Sequence, residues 1–269
     1  MSDAKDYCLE LTKILSVIAQ ANVGQPISSE RIGNAEGVAT KFIAHCISAQ
    51  YLTRSTRLPE IGADFTDVGS VNVIVRAAVE SVLIFHYVFV AGSSEDELNF
   101  RHDAWVLADL QNRQDFIVSS EEGKLKLAQE KELISKLDAK LRANSCLKAL
   151  PAKQQKAVLQ GQQWRLAGWA KIGLDMGLDK SHAERFYSYL CSHAHSGYLS
   201  VLQVRQARTA ADQRMLVEGS TGVLTIALAH MIRLYAGMFP RCAAALKAIP
   251  NAERIVQMWV AIGAGSDTL

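Results

Sequence analysis

The chain has 269 residues, of which 49% are hydrophobic and 21% charged, so it carries enough apolar material for a sizeable core. Its 29 Lys and Arg residues nearly balance 27 Asp and Glu residues, which disfavours a protein that binds bulk nucleic acid by charge alone. Aromatic residues make up only 7% of the chain and there are five prolines, a composition that favours long helices over sheets.

The first half of the chain is predicted to form five helices, from apolar residues at helical spacing and from capping signals. They cover about residues 4–21, 35–56, 65–91, 95–115 and 120–143. Ser94 with Glu97 and Ser119 with Glu122 predict capping boxes for the last two helices. Residues 120–160 are expected to form a protruding helical hairpin, because the helix they contain is rich in Lys, Glu and Leu.

Glycines and prolines interrupt the second half more often. We expect a short helix within 144–163, a short broken helix within 164–178, a helix capped by Ser181 with Glu184, a polar connection over 203–213, an apolar helix over 214–239, and final elements bounded by Pro240 and Pro250. The sequence therefore predicts an all-α protein, a single domain spanning 1–269 built as one bundle of about seven to nine helices.

The cysteines and the N-terminal stretch indicate the cellular compartment in which the protein is expected. Five cysteines, an odd number without metal-ligand spacing, predict reduced and mostly buried thiols. The N-terminal stretch MSDAKDYCLELTK has no apolar signal core, so a cytoplasmic protein is expected.

Two stretches, 71–91 and 219–239, are apolar enough to raise the question of a membrane. The first contains Arg76 and Glu80, and the second contains Arg233. Charged groups at mid-depth cost several kcal/mol each in lipid. Both stretches are therefore predicted to be core helices, and no membrane partner is expected.

Polar side chains form a stripe on the third predicted helix. Asn72, Arg76, Glu80 and Tyr87 recur at about 3.6 residues per turn among Val, Ile, Leu, Ala and Phe. Ionised groups in a core need paired and hydrogen-bonded partners. The stripe therefore predicts that another element supplies polar groups to it.

The run RFYSYLCSHAHSGY, residues 185–198, is the candidate supplier, since Cys191, Ser192 and His195 share one face of a helix. We infer that Arg76, Glu80 and His195 meet inside the bundle. His230 and Arg233, three positions apart on the second apolar stretch, are a further source of polar groups and candidate binding residues.

Three interpretations of this predicted centre stay open. A buried Arg–Glu–His network can simply fix helix packing. A desolvated His beside a carboxylate can instead transfer protons near neutral pH, which would make Arg76, Glu80 and His195 catalytic. The third is ligand binding without chemistry. No metal site and no cofactor are predicted, because His193 and His195 are two positions apart and point to different helix faces.

Residues 164–197 carry a family resemblance. WRLAGWAKIGLDMGL followed by YSYLCSHAHSG resembles a pattern in a widespread, mostly bacterial family of helical proteins of unknown function. In that family an Arg-x-x-x-Glu pair on a central helix precedes a Tyr, a Ser and then a His followed by a small residue. Arg76 with Glu80, and Tyr187, His195 and Ser196, match these positions, which the resemblance implies to be site residues; a cysteine replaces the family's Ser at position 191.

The family is distantly similar to HEPN helical domains, some of which are metal-independent ribonucleases with an Arg and a His a few residues apart. Here seven residues separate Arg185 from His193 and nine separate it from His195, so that spacing is not reproduced. The resemblance implies a HEPN-like, RNA-directed effector, with His195 as the general base and Arg76 or Arg185 stabilising the transition state.

Two other functions are open at this point. A non-enzymatic binding or scaffold protein could form a homodimer through its apolar helices or through helix 120–143. Residues 172–190 imitate a helix-turn-helix, with Gly177 at the turn, and so suggest DNA binding. A recognition helix presents polar side chains near its start, and this one offers only Lys180, His182 and Arg185 before it becomes apolar.

Overall fold

A computed structural model describes residues 4–54, 56–60 and 62–266, and this part of the chain is almost entirely helical. The predicted all-α class is confirmed. Thirteen α-helices and two π-helical segments occur in the described residues, so the predicted seven to nine helices are too few. The difference comes from helices of four to nine residues, which are too short for their periodicity to be recognised.

The elements follow one another along the chain in a fixed order. They are α1 (Ala4–Gln20), α2 (Glu30–Leu52), β1 (Thr56–Leu58), β2 (Ala63–Phe65), α3 (Val68–Ile84), the π-helical segment Phe85–Val90, α4 (Glu95–Gln114), α5 (Glu121–Ala143), α6 (Ser145–Lys148), α7 (Ala152–Leu159), α8 (Trp169–Met176), the π-helical segment Ser181–Phe186, α9 (Tyr187–Ala194), α10 (Tyr198–Gln206), α11 (Ala210–Met238), α12 (Pro240–Ala248) and α13 (Ala252–Gly263).

Two compact units make up the described chain. The first consists of the residues up to Phe85 together with those from Trp169 onwards, and the second runs from His86 to Gly168. That the whole chain forms a single domain, and that residues 120–160 protrude as a hairpin, stay predictions.

α3 and α11 are the central helices of the first unit. α3 packs against α2, α9 and α11, while α11 also contacts α1 and α13. Both were predicted as apolar core helices. α11 begins at Ala210, within the predicted polar connection, because Thr209 and Asp212 form a capping box there. α10 occupies another part of that connection, so the prediction of a loop over 203–213 is wrong for most of it.

The same two helices are the ones that raise the membrane question. Val68–Val90 and Ala210–Met238 are long and apolar enough to cross a membrane by length and composition. In their most apolar windows, 61% and 72% of the residues respectively are buried within the protein. Such burial is common in core helices, and length and composition alone are weak evidence for a membrane span.

A short antiparallel hairpin, β1–β2, joins α2 to α3, and the sequence did not predict it. Thr56 pairs with Phe65 and Leu58 pairs with Ala63. Gly62 in the connecting turn has φ +64°, a conformation that favours glycine. Strands of three residues are too short to show the alternation by which a strand is recognised.

The second unit has its own apolar core. Residues from α4, α5, α6 and α7 form it, namely Phe100, Ala104, Leu107, Leu137, Leu141, Leu147 and Val158. Ser94 caps α4 as predicted, but the Glu97 carboxylate accepts from Ser93 and not from Ser94, so the predicted capping box is incomplete. α5 is capped by Ser120 rather than by the predicted Ser119. Tyr87, which the sequence placed in the polar stripe of α3, lies on the π-helical turn after that helix. Its hydroxyl accepts the Leu166 N–H and its carbonyl accepts Arg101 Nη1, both within this unit.

The five cysteines carry no disulfide. Cys8, Cys46 and Cys242 are buried. Burial raises the pKa of the Cys8 thiol to about 11 and that of Cys46 well above its ordinary value. These thiols are therefore protonated and unreactive near neutral pH.

Asn72 is the fully buried polar residue of α3, and its hydrogen bonds join α3 to α11. Its Nδ2 donates to the Val68 carbonyl at 2.9 Å, and its Oδ1 accepts the Ser220 hydroxyl at 2.6 Å. Because both side chains are nearly inaccessible to water, neither can exchange its partner for solvent.

Replacing Ser220 with Ala should destabilise the protein by about 1–3 kcal/mol, because it leaves the buried Asn72 carbonyl oxygen without a donor. Urea denaturation measures the loss. Ser48→Ala is the matched control, since Ser48 is exposed on α2 and its replacement should change stability by less than about 0.5 kcal/mol. Equal effects of the two substitutions would contradict this role for Ser220.

Candidate functional site

Glu80 is the centre of a cluster that joins α3 to α9. Its Oε1 accepts a hydrogen bond from Arg76 Nη2 at 2.8 Å and another from the Tyr187 hydroxyl at 2.6 Å. Arg76 lies one helical turn before Glu80 on α3, and Tyr187 is the first residue of α9. We call these three residues the Glu80 cluster.

The Glu80 cluster is partly buried. About a quarter of each side chain is exposed for Arg76 and Glu80, 25% and 26% respectively. The Arg76 guanidinium carbon lies 6.0 Å from the centre of the Tyr187 ring, and the Trp169 ring centre lies 6.3 Å from it. The Tyr187 ring thus lies beside the pair, and Trp169 of α8 packs near that ring.

The protonation states in the Glu80 cluster favour a structural role. Burial and the neighbouring Glu80 raise the pKa of Tyr187 far above its ordinary value. Burial opposes ionisation of Arg76, but Tyr187 and Glu80 outweigh it and raise the pKa of the guanidinium. Both donors therefore keep their protons, and the Glu80 oxygen between them is occupied.

The prediction that His195 meets Arg76 and Glu80 inside the bundle is wrong. His195 is exposed, and in the described structure no hydrogen bond or ion pair joins it to either residue. α9 ends at Ala194, so His195 caps the helix with φ −109° and ψ 16°, and Ser196 follows with φ +50°. Helical spacing therefore does not extend to His195, and the predicted catalytic set loses the juxtaposition on which it was based.

Ser196, predicted as a binding residue, is also exposed on this turn. The buried histidine of the segment is His193, which is 8% exposed and lies 5.0 Å from the Tyr189 ring between ring centres. Burial lowers the pKa of His193, and an interaction with Gln203 only partly offsets this. His193 is therefore neutral near pH 7 and packs as a core residue.

His230 and Arg233, the other predicted binding residues, form a separate site with the end of α8. Arg233 Nη2 donates to the Met176 carbonyl at 2.8 Å and lies 3.1 Å from His230 Nδ1. Since the guanidinium can only donate, Nδ1 acts as the acceptor and the imidazole proton is assigned to Nε2. His230 is fully buried and helps to fix the orientation of the Arg233 guanidinium through this contact.

Arg233 lies on a groove of about 390 Å³ between α11, α12 and α13, which we call the Arg233 groove. Its apolar wall includes Leu246, Val256 and Val260, and Glu253 and Gln257 are its other polar residues. Arg233 is exposed to solvent, and partial desolvation by the groove lowers its pKa. In the described part of the chain no carboxylate lies within ion-pair distance of this guanidinium, and its contacts to protein are with neutral groups.

The sequence missed the pairing of Asp179 with His182. The predicted Ser181–Glu184 capping box is wrong; Asp179 takes its place, because its Oδ1 accepts the His182 N–H at 2.8 Å and its Oδ2 lies 2.9 Å from His182 Nδ1. Burial would raise the pKa of Asp179, but these hydrogen bonds prevail and lower it. An Asp three residues before a His at a helix start is the signal that could have found the pair.

His182 and Tyr187 line a narrow cavity of about 30 Å³ in the first unit. Apolar side chains form most of its wall, including Val79, Val82 and Leu190. An apolar cavity of this size is expected to stay dry. It therefore offers no room for a substrate.

Comparison with family models, with curated proteins and with solved structures gave no significant match. The HEPN-like relationship accordingly stays a prediction from the residues quoted above.

Replacing Tyr187 with Phe should destabilise the protein by about 1 kcal/mol, because it removes a hydrogen bond to a carboxylate that is only partly exposed to water. Thermal or urea unfolding measures the change. Tyr198→Phe is the control, since Tyr198 is 80% exposed and its replacement should have almost no effect. A Tyr187→Phe protein as stable as this control would exclude the Glu80 cluster as a link between α3 and α9.

The buried His193 should make stability fall at acidic pH. Its pKa is lower in the folded than in the unfolded chain, so protonation favours the unfolded chain and stability is lost as pH falls below about 6.5. We expect His193→Gln to flatten urea-denaturation stability between pH 7.5 and pH 5.5. His195→Gln, which removes the exposed neighbour, should leave the slope unchanged. If both variants keep the original slope, His193 does not titrate in this way.

Proposed function

We propose that the protein binds a small amphipathic molecule with an acidic group, without transforming it, and that the Arg233 groove is the binding site. The observation that carries the proposal is the position of Arg233, a cation with neutral protein partners at the edge of an apolar groove. A ligand carboxylate, phosphate or sulfonate would replace solvent as the partner of this cation.

The dimensions of the groove support a ligand of modest size. Small-molecule sites in proteins have volumes of about 300–1,000 Å³ and are mostly apolar with a few placed polar groups. The Arg233 groove has about 390 Å³ and a wall of aliphatic side chains. A hydrocarbon body would lie against Leu246, Val256 and Val260 while its acidic end reaches Arg233.

The orientation of Arg233 supports the same role. Nη2 is engaged by Met176 and His230, which fix the plane of the guanidinium. The other edge of the group keeps its N–H donors for a ligand, and a fixed planar donor set suits a carboxylate. His230 and Met176 are therefore positioning groups and Arg233 the ligand-binding one.

Binding without chemistry accords with the lining of the groove. Arg233, Glu253 and Gln257 are its polar side chains, and none of them is a paired nucleophile and base. The RNA-directed role expected from sequence combined His195 with Arg76 or Arg185, and in the described structure Arg76 pairs with Glu80 and not with His195. It stays a prediction, as do homodimerisation and DNA binding.

Calorimetric titration with sodium decanoate tests the proposal. We expect saturable binding to the unaltered protein and weaker binding, by about tenfold or more, to Arg233→Gln, because a charge-assisted hydrogen bond is lost. Arg254→Gln is the matched control; it removes the same charge from an exposed position of α13 outside the groove and should bind as the unaltered protein does.

Two further measurements separate charge from apolar attraction. Glu253→Gln should strengthen decanoate binding, because it removes a like charge from the groove. 1-Decanol, which has the same chain and no charge, should bind more weakly than decanoate. Equal affinity of Arg233→Gln and Arg254→Gln for decanoate, or no saturable binding at all, would overturn the proposal.

A further inference from the structure

A second groove, also of about 390 Å³, lies on the first unit around Glu36 of α2. The turn after α1, the start of α2 and the junction of α11 with α12 form it. Ile32, Met238 and Phe239 supply apolar wall, and Asn22 and Glu36 supply polar groups. We call it the Glu36 groove. Glu36 is the charged residue of its lining, whereas the Arg233 groove contains both Arg233 and Glu253.

The Glu36 carboxylate is held by neutral donors on both oxygens. Asn22 Nδ2 donates to Oε1, and the hydroxyl of the buried Tyr235 donates to Oε2 at 2.7 Å. No Lys, Arg or His side chain of the described residues lies within ion-pair distance of this carboxylate. Glu36 is thus oriented from two sides, and its charge is left without a cation.

Burial and the Glu36 carboxylate raise the pKa values of two neighbouring groups, Tyr235 and Cys242. Burial raises the pKa of Tyr235 strongly, and the Glu36 carboxylate raises it further. Burial, with Glu36 as the next cause, raises the pKa of Cys242 to about 11. Both groups are therefore neutral near pH 7 and cannot act as the counter-ion or add a second negative charge.

Two helix C-termini and two helix N-termini lie at this groove. α1 ends at Gln20, just before Asn22, and the 29-residue α11 ends at Met238. Helix C-termini carry partial negative charge on their last carbonyls and favour cations. α2 and α12 begin at the same groove, and their N-termini offset this partial charge, so Glu36 sets the sign of the site.

We propose that the Glu36 groove binds an organic cation, a primary or substituted ammonium group attached to an apolar body. The ammonium would pair with Glu36 and the body would lie against Ile32, Met238 and Phe239. An aromatic ring in the wall adds to the attraction for a cation. The site is independent of the Arg233 groove and of the function proposed for it.

Titration with hexylammonium chloride, followed by calorimetry, tests this site. We expect saturable binding to the unaltered protein, weaker binding of 1-hexanol, and a loss of about tenfold or more in hexylammonium affinity for Glu36→Gln. Glu30→Gln is the matched control, because Glu30 is exposed in the first turn of the same helix and does not line the groove. It should leave the affinity unchanged.

A second measurement uses the unaltered protein, so it does not require a variant that folds correctly. The Met238 methyl signal in a ¹H–¹³C spectrum of the unaltered protein should shift with hexylammonium and saturate, and should shift less with 1-hexanol. Arg233→Gln should retain hexylammonium binding, so that failure of the acidic-ligand proposal and failure of this one are distinguishable. No saturable shift of Met238, or equal affinities for Glu36→Gln and Glu30→Gln, would overturn the proposal.

Discussion

The requirement that a charge removed from water be compensated governs the polar interior of this protein. At Glu80 the requirement is met within the chain, because Arg76 supplies the opposite charge and Tyr187 supplies a second hydrogen bond to the same oxygen. As a consequence, a hydrogen bond joins the first residue of α9 to α3. With Tyr187 in that position, α9 buries Leu190 and His193 and ends before His195.

At Glu36, which is half-buried, the same requirement is met only in part, and at Arg233, which is exposed, solvent supplies part of the compensation. Each group is oriented by two neutral partners, and each lies in a groove of about 390 Å³ instead of a sealed core. A paired charge stabilises packing, whereas an oriented but unpaired charge in a concave apolar site suits a ligand of opposite sign. This contrast separates the structural cluster from the two proposed binding sites, which take an acid and an amine respectively.

Much of the helical framework could be predicted from the sequence, and the places where prediction failed have local causes. α1, α4 and α5 agree with the expected helices to within a few residues, since periodicity and capping residues are local properties. Ser120 and not Ser119 caps α5, and Asp179 and not Ser181 accepts the N–H at the second site. Two capping residues close together in sequence have similar intrinsic preferences, so the tertiary contacts around them decide which one is used. The Asp179 N–H, for example, is fixed by the Gly263 carbonyl at 2.8 Å. The π-helical segment Phe85–Val90 changes the helical spacing from Phe85 onwards, which removed Tyr87 from the stripe of α3.

The sequence by itself determined the all-α class, the two apolar central helices, and the need of Arg76 and Glu80 for a polar partner from the segment after residue 180. Only the tertiary structure decided that this partner is Tyr187 and not His195, because the end of α9 depends on the turn at Ser196 and Gly197. It also decided that Arg233 and Glu36 lie in grooves. Grooves form where helices distant in sequence pack together, and residue spacing within one helix does not predict which other helices it will contact.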